Sequence, residues 1–191
     1  QSSKPFILWQ LSFPKVFMEK RGFDIVVGNP PYIDSETMSR IMPKERECYA
    51  KKYKVCKGNW DLYIPFWEKS FKLLNQYGNV ALITPDKWLS IKYGKALRSC
   101  ILPYIYNISN YSTFYAFESA GVSTVVVMAQ RKEINKIRVV HFDELFDVVD
   151  EVKVDKFYLN KYDNIGLCLS KNLKTLINLM TNEQLGDSFN I

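Results

Sequence analysis

The apolar positions of the chain fall into short runs separated by polar stretches. The first clear run is Phe23-Asp24-Ile25-Val26-Val27-Gly28. It is β-branched, uncharged after Asp24 and closed by glycine, so it predicts a short buried strand. Upstream, residues 5–18 mix aromatic and aliphatic side chains around Pro14 and read as an element leading into the sheet. Residues 33–58 are polar and basic and contain Pro43, which predicts a loop with one short helix. From Asp61 to Leu74 the apolar residues Leu62, Phe66, Phe71 and Leu74 recur at helical spacing with charges between them. Asp61 reads as the cap of that helix, with a site residue as the alternative, Pro65 sits in its first turn, and Tyr77-Gly78-Asn79 reads as its stop.

Val80-Ala81-Leu82-Ile83-Thr84, closed by Pro85, predicts a second buried strand. Strand, helix and strand over this distance make a βαβ unit with a parallel pair. Lys92 to Ile101 predicts a second helix, ended before Pro103. Tyr106 to Ser112 predicts a third strand and Val122 to Gln130 a fourth. The short links between these runs point to an antiparallel ending on a parallel sheet. Beyond Arg131 the pattern weakens. Arg138 to Phe142 reads as a strand, Ser170 to Met180 as an amphipathic helix, and Leu185 to Ile191 as the first strand of a further unit. There is no internal repeat and no low-complexity segment.

At 191 residues, 47% hydrophobic and 15% aromatic, the chain suits one ordered globular domain or part of one. No apolar run approaches membrane-spanning length, and no signal peptide is visible, so a cytoplasmic protein is expected. The chain opens with Gln1, which suggests a fragment or a processed product. Cys48, Cys56, Cys100 and Cys168 form no C-x-x-C pair and His141 is the one histidine. No metal site is therefore expected, and the thiols read as reduced.

The net charge is +6. Much of it lies between Arg40 and Lys57, where seven basic residues face only Glu45 and Glu47. Lys44, Arg46, Lys51, Lys52 and Lys54 are candidates for phosphate contacts, and a solvated helix or loop face is the alternative.

The residues that follow the first strand carry the chemistry. Asn29-Pro30-Pro31-Tyr32 places a carboxamide, a rigid backbone and an aromatic ring at a strand's carboxyl end, where ligands of open α/β sheets sit. An amide, fixed carbonyls and a ring face suit a flat base that bears an exocyclic amine. The Asn29 side-chain oxygen and the Pro30 carbonyl are a natural pair of acceptors for that amine. Proline fits there because its φ is locked and it has no competing donor. A capping Asn before proline, and a Tyr32 that merely packs, are the plainer alternatives.

With this context the sequence resembles the gamma-class N6-adenine DNA methyltransferases, most closely the fused type II restriction-modification enzymes with Eco57I-like methylase domains. Trp9 to Phe17 is similar to the run that leads to the family's catalytic strand, and Phe23 to Tyr32 to its catalytic motif. Asn59-Trp60-Asp61-Leu62-Tyr63 with Phe66 is similar to the next motif. Val80 to Trp88 with Leu97-Arg98, and then Phe117 to Val127, follow in the family's order.

The resemblance implies a partial Rossmann-like sheet of an S-adenosylmethionine-dependent methyltransferase, with helices on its faces. It implies methyl transfer to a flipped-out adenine at Asn29, Pro30 and Tyr32. Tyr32 and Phe117 would stack on the base. Pro31 and Phe66 would line the cofactor's adenine ring. Trp88 and His141 read as packing residues.

The family's glycine-rich cofactor loop and its ribose-binding acid belong upstream of the catalytic strand, and neither is in this sequence. The expected division is therefore 1–135, the C-terminal half of a catalytic domain, and 136–191, a connector to a truncated target-recognition domain. Such a fragment is expected to be inactive alone. Double-stranded DNA is the expected partner. A non-catalytic nucleic-acid-binding or scaffold module, or a methylase of RNA or of protein glutamine, is the alternative.

Overall fold

The computed structural model describes residues 7–111, 122–162 and 164–181. Two short helices, α1 (Trp9–Ser12) and α2 (Pro14–Glu19), lead into strand β1 (Phe23–Gly28). Their aromatic side chains gather on Phe23: the rings of Trp9, Phe13 and Phe17 lie 5.9, 5.3 and 5.4 Å from it, all edge-on.

Residues 33–58 are more ordered than the sequence predicts. They hold two helices, α3 (Ser35–Ile41) and α4 (Pro43–Lys52). Asp34 starts the first, its carboxylate accepting from the Thr37 N–H at 2.8 Å. Pro43 does not break the segment. It occupies the first turn of α4, where its missing N–H costs nothing.

Helix α5 (Tyr63–Leu73) follows, with Pro65 in its first turn as expected. Its cap residue is Leu62 and no side chain caps it, so Asp61 does not serve as the cap. The chain passes straight from α5 into β2 (Leu74–Pro85). Tyr77-Gly78-Asn79 therefore lies inside the strand instead of stopping the helix. Gly78 is needed for proximity: a Cβ there would sit 2.8 Å from the Phe23 carbonyl oxygen and 2.9 Å from Leu74. The β1–β2 register shifts between Phe23 and Ile25 at this point.

After β2 come short 3₁₀ turns and then α6 (Lys95–Ile101), shorter at its start than the expected helix. β3 (Ile105–Asn110), β4 (Thr124–Gln130) and β5 (Lys136–Phe142) match three predicted strands within a few residues. β6 (Val148–Asp155) and α7 (Lys156–Tyr162) have no counterpart in the sequence reading. α8 (Leu173–Thr181) matches the predicted C-terminal helix. Leu185 to Ile191 lies outside the described residues.

The six strands form one sheet in the order β1-β2-β4-β3-β5-β6. β1 and β2 are parallel, as are β3 and β5. β4 is antiparallel to both β2 and β3, so the expected antiparallel strand lies inside the sheet. β6 pairs antiparallel with β5 and forms an edge. The sheet thus holds strands from both sides of residue 135.

The core is built on β2, β3 and β4 (Val80, Leu82, Ile105, Ile108, Val125, Val127) and on the tryptophans Trp60, Trp67 and Trp88. Trp88 is fully buried, with its ring 5.8 Å from that of Trp67 and its Nε1 donating to Thr84 Oγ1 at 3.1 Å. Its reading as a packing residue agrees with this. His141 is also buried, with Nδ1 3.0 Å from Asn110 Nδ2. The described residues include no helix long and apolar enough to cross a membrane.

Candidate active site

The topology puts the carboxyl ends of β1, β2, β3 and β5 on one edge of the sheet, with the start of β4 beside them. Asn29-Pro30-Pro31-Tyr32 leaves β1 at that edge. Asn29 and Pro31 are exposed, Pro30 is buried and Tyr32 is half-buried. The Tyr32 hydroxyl donates to the Ile83 carbonyl on β2 at 3.2 Å, and its ring meets that of Tyr63 edge-on at 6.5 Å.

The far end of the loop is held by Asp61 and Leu62, the residues just before α5. The Leu62 N–H donates to the Ile33 carbonyl at 2.8 Å, and the Ser35 N–H donates to Asp61 Oδ1 at 3.1 Å. Asp61 Oδ2 accepts from the Tyr93 hydroxyl at 2.6 Å. Tyr93 and Tyr63 hydroxyls are 2.8 Å apart. Because Tyr93 has one proton and gives it to Asp61, Tyr63 is the donor in that pair. Burial pushes the phenols of Tyr32, Tyr63 and Tyr93 above their ordinary range, so all three are neutral donors near pH 7.

Tyr93 is itself held in place. Buried Arg98 donates through Nη1 to the carbonyls of Trp88 at 2.7 Å and Ile91 at 2.9 Å. Gly94 runs so close to this turn that a Cβ would lie 2.0 Å from the Trp88 carbonyl oxygen. Tyr93 escapes the sequence reading as a site residue, and for Asp61 that reading favours a helix cap over a role in the site. Each is an ordinary polar or aromatic residue in its local context, and only the fold joins them.

Phe117 lies outside the described residues. The described residues on either side of it, Tyr111 and Ser123, lie at the same sheet edge. The Tyr111 N–H donates to the Thr124 carbonyl at 3.3 Å, the Ser123 hydroxyl to Asp86 Oδ2 at 2.6 Å, and the Asp86 N–H to the Ser123 carbonyl at 3.1 Å.

Phe66 projects from α5 with 41% of its surface exposed. It lines a niche of about 120 Å³ with Tyr49, Tyr53, Pro65 and Lys69.

The five basic candidates differ in their surroundings. Arg46 is turned inward: its guanidinium donates to the carbonyls of Trp60 at 3.0 Å and Gly58 at 3.2 Å and stacks 4.5 Å over the Trp60 ring. Lys51 pairs with Glu47 at 2.6 Å on the helix surface. Lys52 lies 5.7 Å from the Tyr53 ring. Lys44 and Lys54 are exposed.

A family model described as Eco57I restriction-modification methylase matches residues 1–122. The chain belongs to the Eco57I restriction-modification methylase family. It is 27% identical over 173 residues to the type II restriction enzyme and methyltransferase RM.Eco57I of Escherichia coli, an alignment covering 86% of this chain and 17% of that protein. It is 28% identical over 177 residues to the type II methyltransferase M.BstVI of Geobacillus stearothermophilus, covering 90% of this chain and 30% of that protein. The chain therefore spans less than a third of the length of these two relatives.

Among solved structures, the type IIG restriction endonuclease BpuSI superposes with a TM-score of 0.57 at 16% identity, over 85% of this chain and 22% of BpuSI. The type IIL restriction-modification enzyme MmeI, solved with DNA, superposes with a TM-score of 0.52 at 14% identity, over 76% of this chain and 20% of MmeI. These similarities establish a shared fold.

Proposed function

We propose that this chain is the base-accepting half of a site-specific DNA methyltransferase that acts on adenine N6. The observation that carries the reading is the Asn29-Pro30-Pro31-Tyr32 loop at the carboxyl end of β1, open at Asn29 and tied down through Tyr32 and Asp61.

The amino group of adenine is a weak nucleophile because its lone pair is delocalised into the ring. The Asn29 side-chain oxygen and the Pro30 carbonyl accept its two hydrogens and draw the nitrogen toward tetrahedral geometry. Positioning and fixed dipoles supply the rate enhancement, so no side chain has to titrate. The surplus proton leaves to water. Tyr32 offers one ring face to the flipped base and Phe117 is proposed as the other, each stack worth about 1–3 kcal/mol.

S-adenosylmethionine, when bound, supplies the electrophilic methyl group. Pro31 and Phe66, both exposed, are assigned to the apolar face of its adenine ring, although the niche beside Phe66 is lined by Tyr49, Tyr53, Pro65 and Lys69 and not by Pro31. The ribose and amino-acid ends are assigned to the other half of the catalytic domain. Its docking face is the outer row of edge strand β1, where Ile25 and Val27 are 67% and 75% exposed. In this reading residues 1–135 form the catalytic half and 136–191 the connector to a recognition domain, and the chain alone is inactive in the cytoplasm. Lys44, Lys51, Lys52 and Lys54 contact DNA phosphates, whereas Arg46 serves the fold.

The test is methylation of DNA by the full-length protein that carries this chain. Asn29→Ala is expected to lower the rate by roughly 10²–10³-fold, the scale on which removing one preorganised hydrogen-bonding group slows other enzymes, with N6-methyladenine as the wild-type product. Methyl groups found on RNA or on glutamine instead would change the substrate. DNA binding without transfer would make the chain a scaffold module.

A further inference from the structure

Five residues, Asp61, Ser35, Tyr93, Tyr63 and Tyr32, form a closed ring of contacts. Asp61 holds Ser35 and Tyr93, from positions 26 and 32 residues away in sequence. Tyr93 accepts from Tyr63, Tyr63 packs edge-on against Tyr32, and the chain from Tyr32 to Ser35 returns to Asp61. We infer that Asp61 and Tyr93 are positioning residues: a clamp that sets the tilt of the Tyr32 ring and the aim of the Asn29 and Pro30 acceptors at the substrate base. The inference rests on the adenine-methylation reading of the loop.

Three observations separate a clamp from incidental hydrogen bonding. First, Asp61 precedes α5 in the place where a cap would be useful, yet α5 carries no side-chain cap. Its carboxylate is directed at the catalytic loop and at Tyr93 instead. Second, both its oxygens are used, and hydrogen bonds to an ionised acceptor are roughly twice as strong as neutral ones. Third, the position of Tyr93 is built, by Arg98 holding the carbonyls of Trp88 and Ile91 and by the close passage of Gly94. Tyr63 has no surface exposure, so its hydroxyl depends on Tyr93 for a partner. A loop anchored at β1, at Ile83, at Leu62 and at Asp61 has little freedom left. Catalytic geometry is steep enough that a displacement of about 1 Å costs about 10²-fold in rate.

Two measurements test the clamp. The first uses this chain and needs no activity: amide hydrogen exchange at Ser35, with Val127 in β4 as the reference. In Asp61→Ala the Ser35 amide is expected to exchange at least about 10-fold faster while Val127 keeps its wild-type rate, the pattern of a local opening. Unchanged exchange at Ser35 overturns the clamp.

The second uses the full-length methyltransferase, in single turnover and with 2-aminopurine at the target base. Tyr93→Phe is expected to slow methyl transfer about 10-fold with KM for DNA and cofactor within about two-fold of wild type, the signature of lost positioning. The 2-aminopurine signal of the bound complex should shift as the ring beneath it loosens. Asp61→Asn keeps an acceptor for Ser35 but turns a donor toward Tyr93, so it should restore the slow Ser35 exchange lost in Asp61→Ala and still transfer methyl more slowly than wild type. A Tyr93→Phe enzyme with wild-type rate and fluorescence overturns the clamp. If the wild-type enzyme transfers no methyl to adenine, the proposed function fails, and the Ser35 exchange result still decides the clamp.

Discussion

The Tyr32 hydroxyl donates to the carbonyl of Ile83 at 3.2 Å, a contact between residues 51 positions apart. It ties the exposed loop after β1 to the neighbouring strand β2 and leaves the ring half-buried, with one side against Tyr63. A ring held at its hydroxyl and flanked by another aromatic presents a defined face.

Substitutions at Tyr32 should separate these two contributions. Tyr32→Phe keeps the face and loses the tether, so methyl transfer by the full-length protein should fall about 3–10-fold, the worth of one ordinary hydrogen bond of about 0.5–1.5 kcal/mol. Tyr32→Ala removes the face as well and should cost about 10²-fold or more, consistent with a lost stack of about 1–3 kcal/mol. Steady-state kinetics on the two variants checks both.

Arg46 and Lys44 lie two residues apart on α4 and should behave oppositely. Arg46→Ala breaks two bonds to backbone carbonyls and a stack on Trp60, and should destabilise the chain by about 1.5–3 kcal/mol. Lys44→Ala should leave the melting temperature unchanged. In the full-length protein it should weaken DNA binding and reduce the slope of log K against log salt by about 1. Thermal melts and salt-dependent binding isotherms distinguish them.

Lys156 makes the stability of the chain depend on pH. Its ammonium is buried, donates to the Pro103 carbonyl at 2.7 Å, and is pushed by burial from 10.5 down to about 8, against an opposing pull from Glu133. The folded state therefore sheds this proton at lower pH than the unfolded state, which binds more protons between about 8 and 10.5. Stability must rise with pH across that window. Burial raises the Cys56 thiol to about 12 and also raises the phenols of Tyr63 and Tyr93, and these groups act in the opposite sense from about pH 9 upward. The expected result is a melting temperature that climbs by a few degrees from about pH 7.5 to 9 in wild type, and a flatter profile in Lys156→Met.

Gly94 should not accept even a methyl group. A Cβ would meet the Trp88 carbonyl oxygen at 2.0 Å, and backbone cannot swing aside as a flexible side chain can. Gly94→Ala should cost about 1–3 kcal/mol of stability, measured by denaturant unfolding. Because Gly94 follows Tyr93 directly, the same variant should also loosen the Asp61 contact.

Much of the architecture was legible in the sequence because it depends on local pattern. Thr124–Gln130 is an apolar run buried inside the sheet, and such a run declares itself without neighbours. Phe23–Gly28 is a strand as its pattern predicts but not a buried one: it lies on the sheet edge, with Ile25 and Val27 exposed. β6 did not, because it is an edge strand in which Val152 and Val154 alternate with charged Glu151 and Lys153. Its identity as a strand comes from pairing with β5. α4 was obscured by Pro43, whose meaning depends on whether it lies inside a helix or in its first turn.

The sequence by itself determined the chemical parts: a carboxamide, two prolines and a tyrosine following an apolar strand, and the ordered motifs that place the chain in its family. Side-chain chemistry and short-range periodicity are properties of neighbouring residues, so they survive in one dimension. The tertiary structure alone decided how those parts are held. It turned Asp61 from a helix cap into a bridge between Ser35 and Tyr93, drew Arg46 into the fold beside Trp60, and set Tyr32 on Ile83. These contacts join residues 14 to 51 positions apart. They exist only once the sheet has brought their strands and helices together, and no local pattern in the chain encodes them.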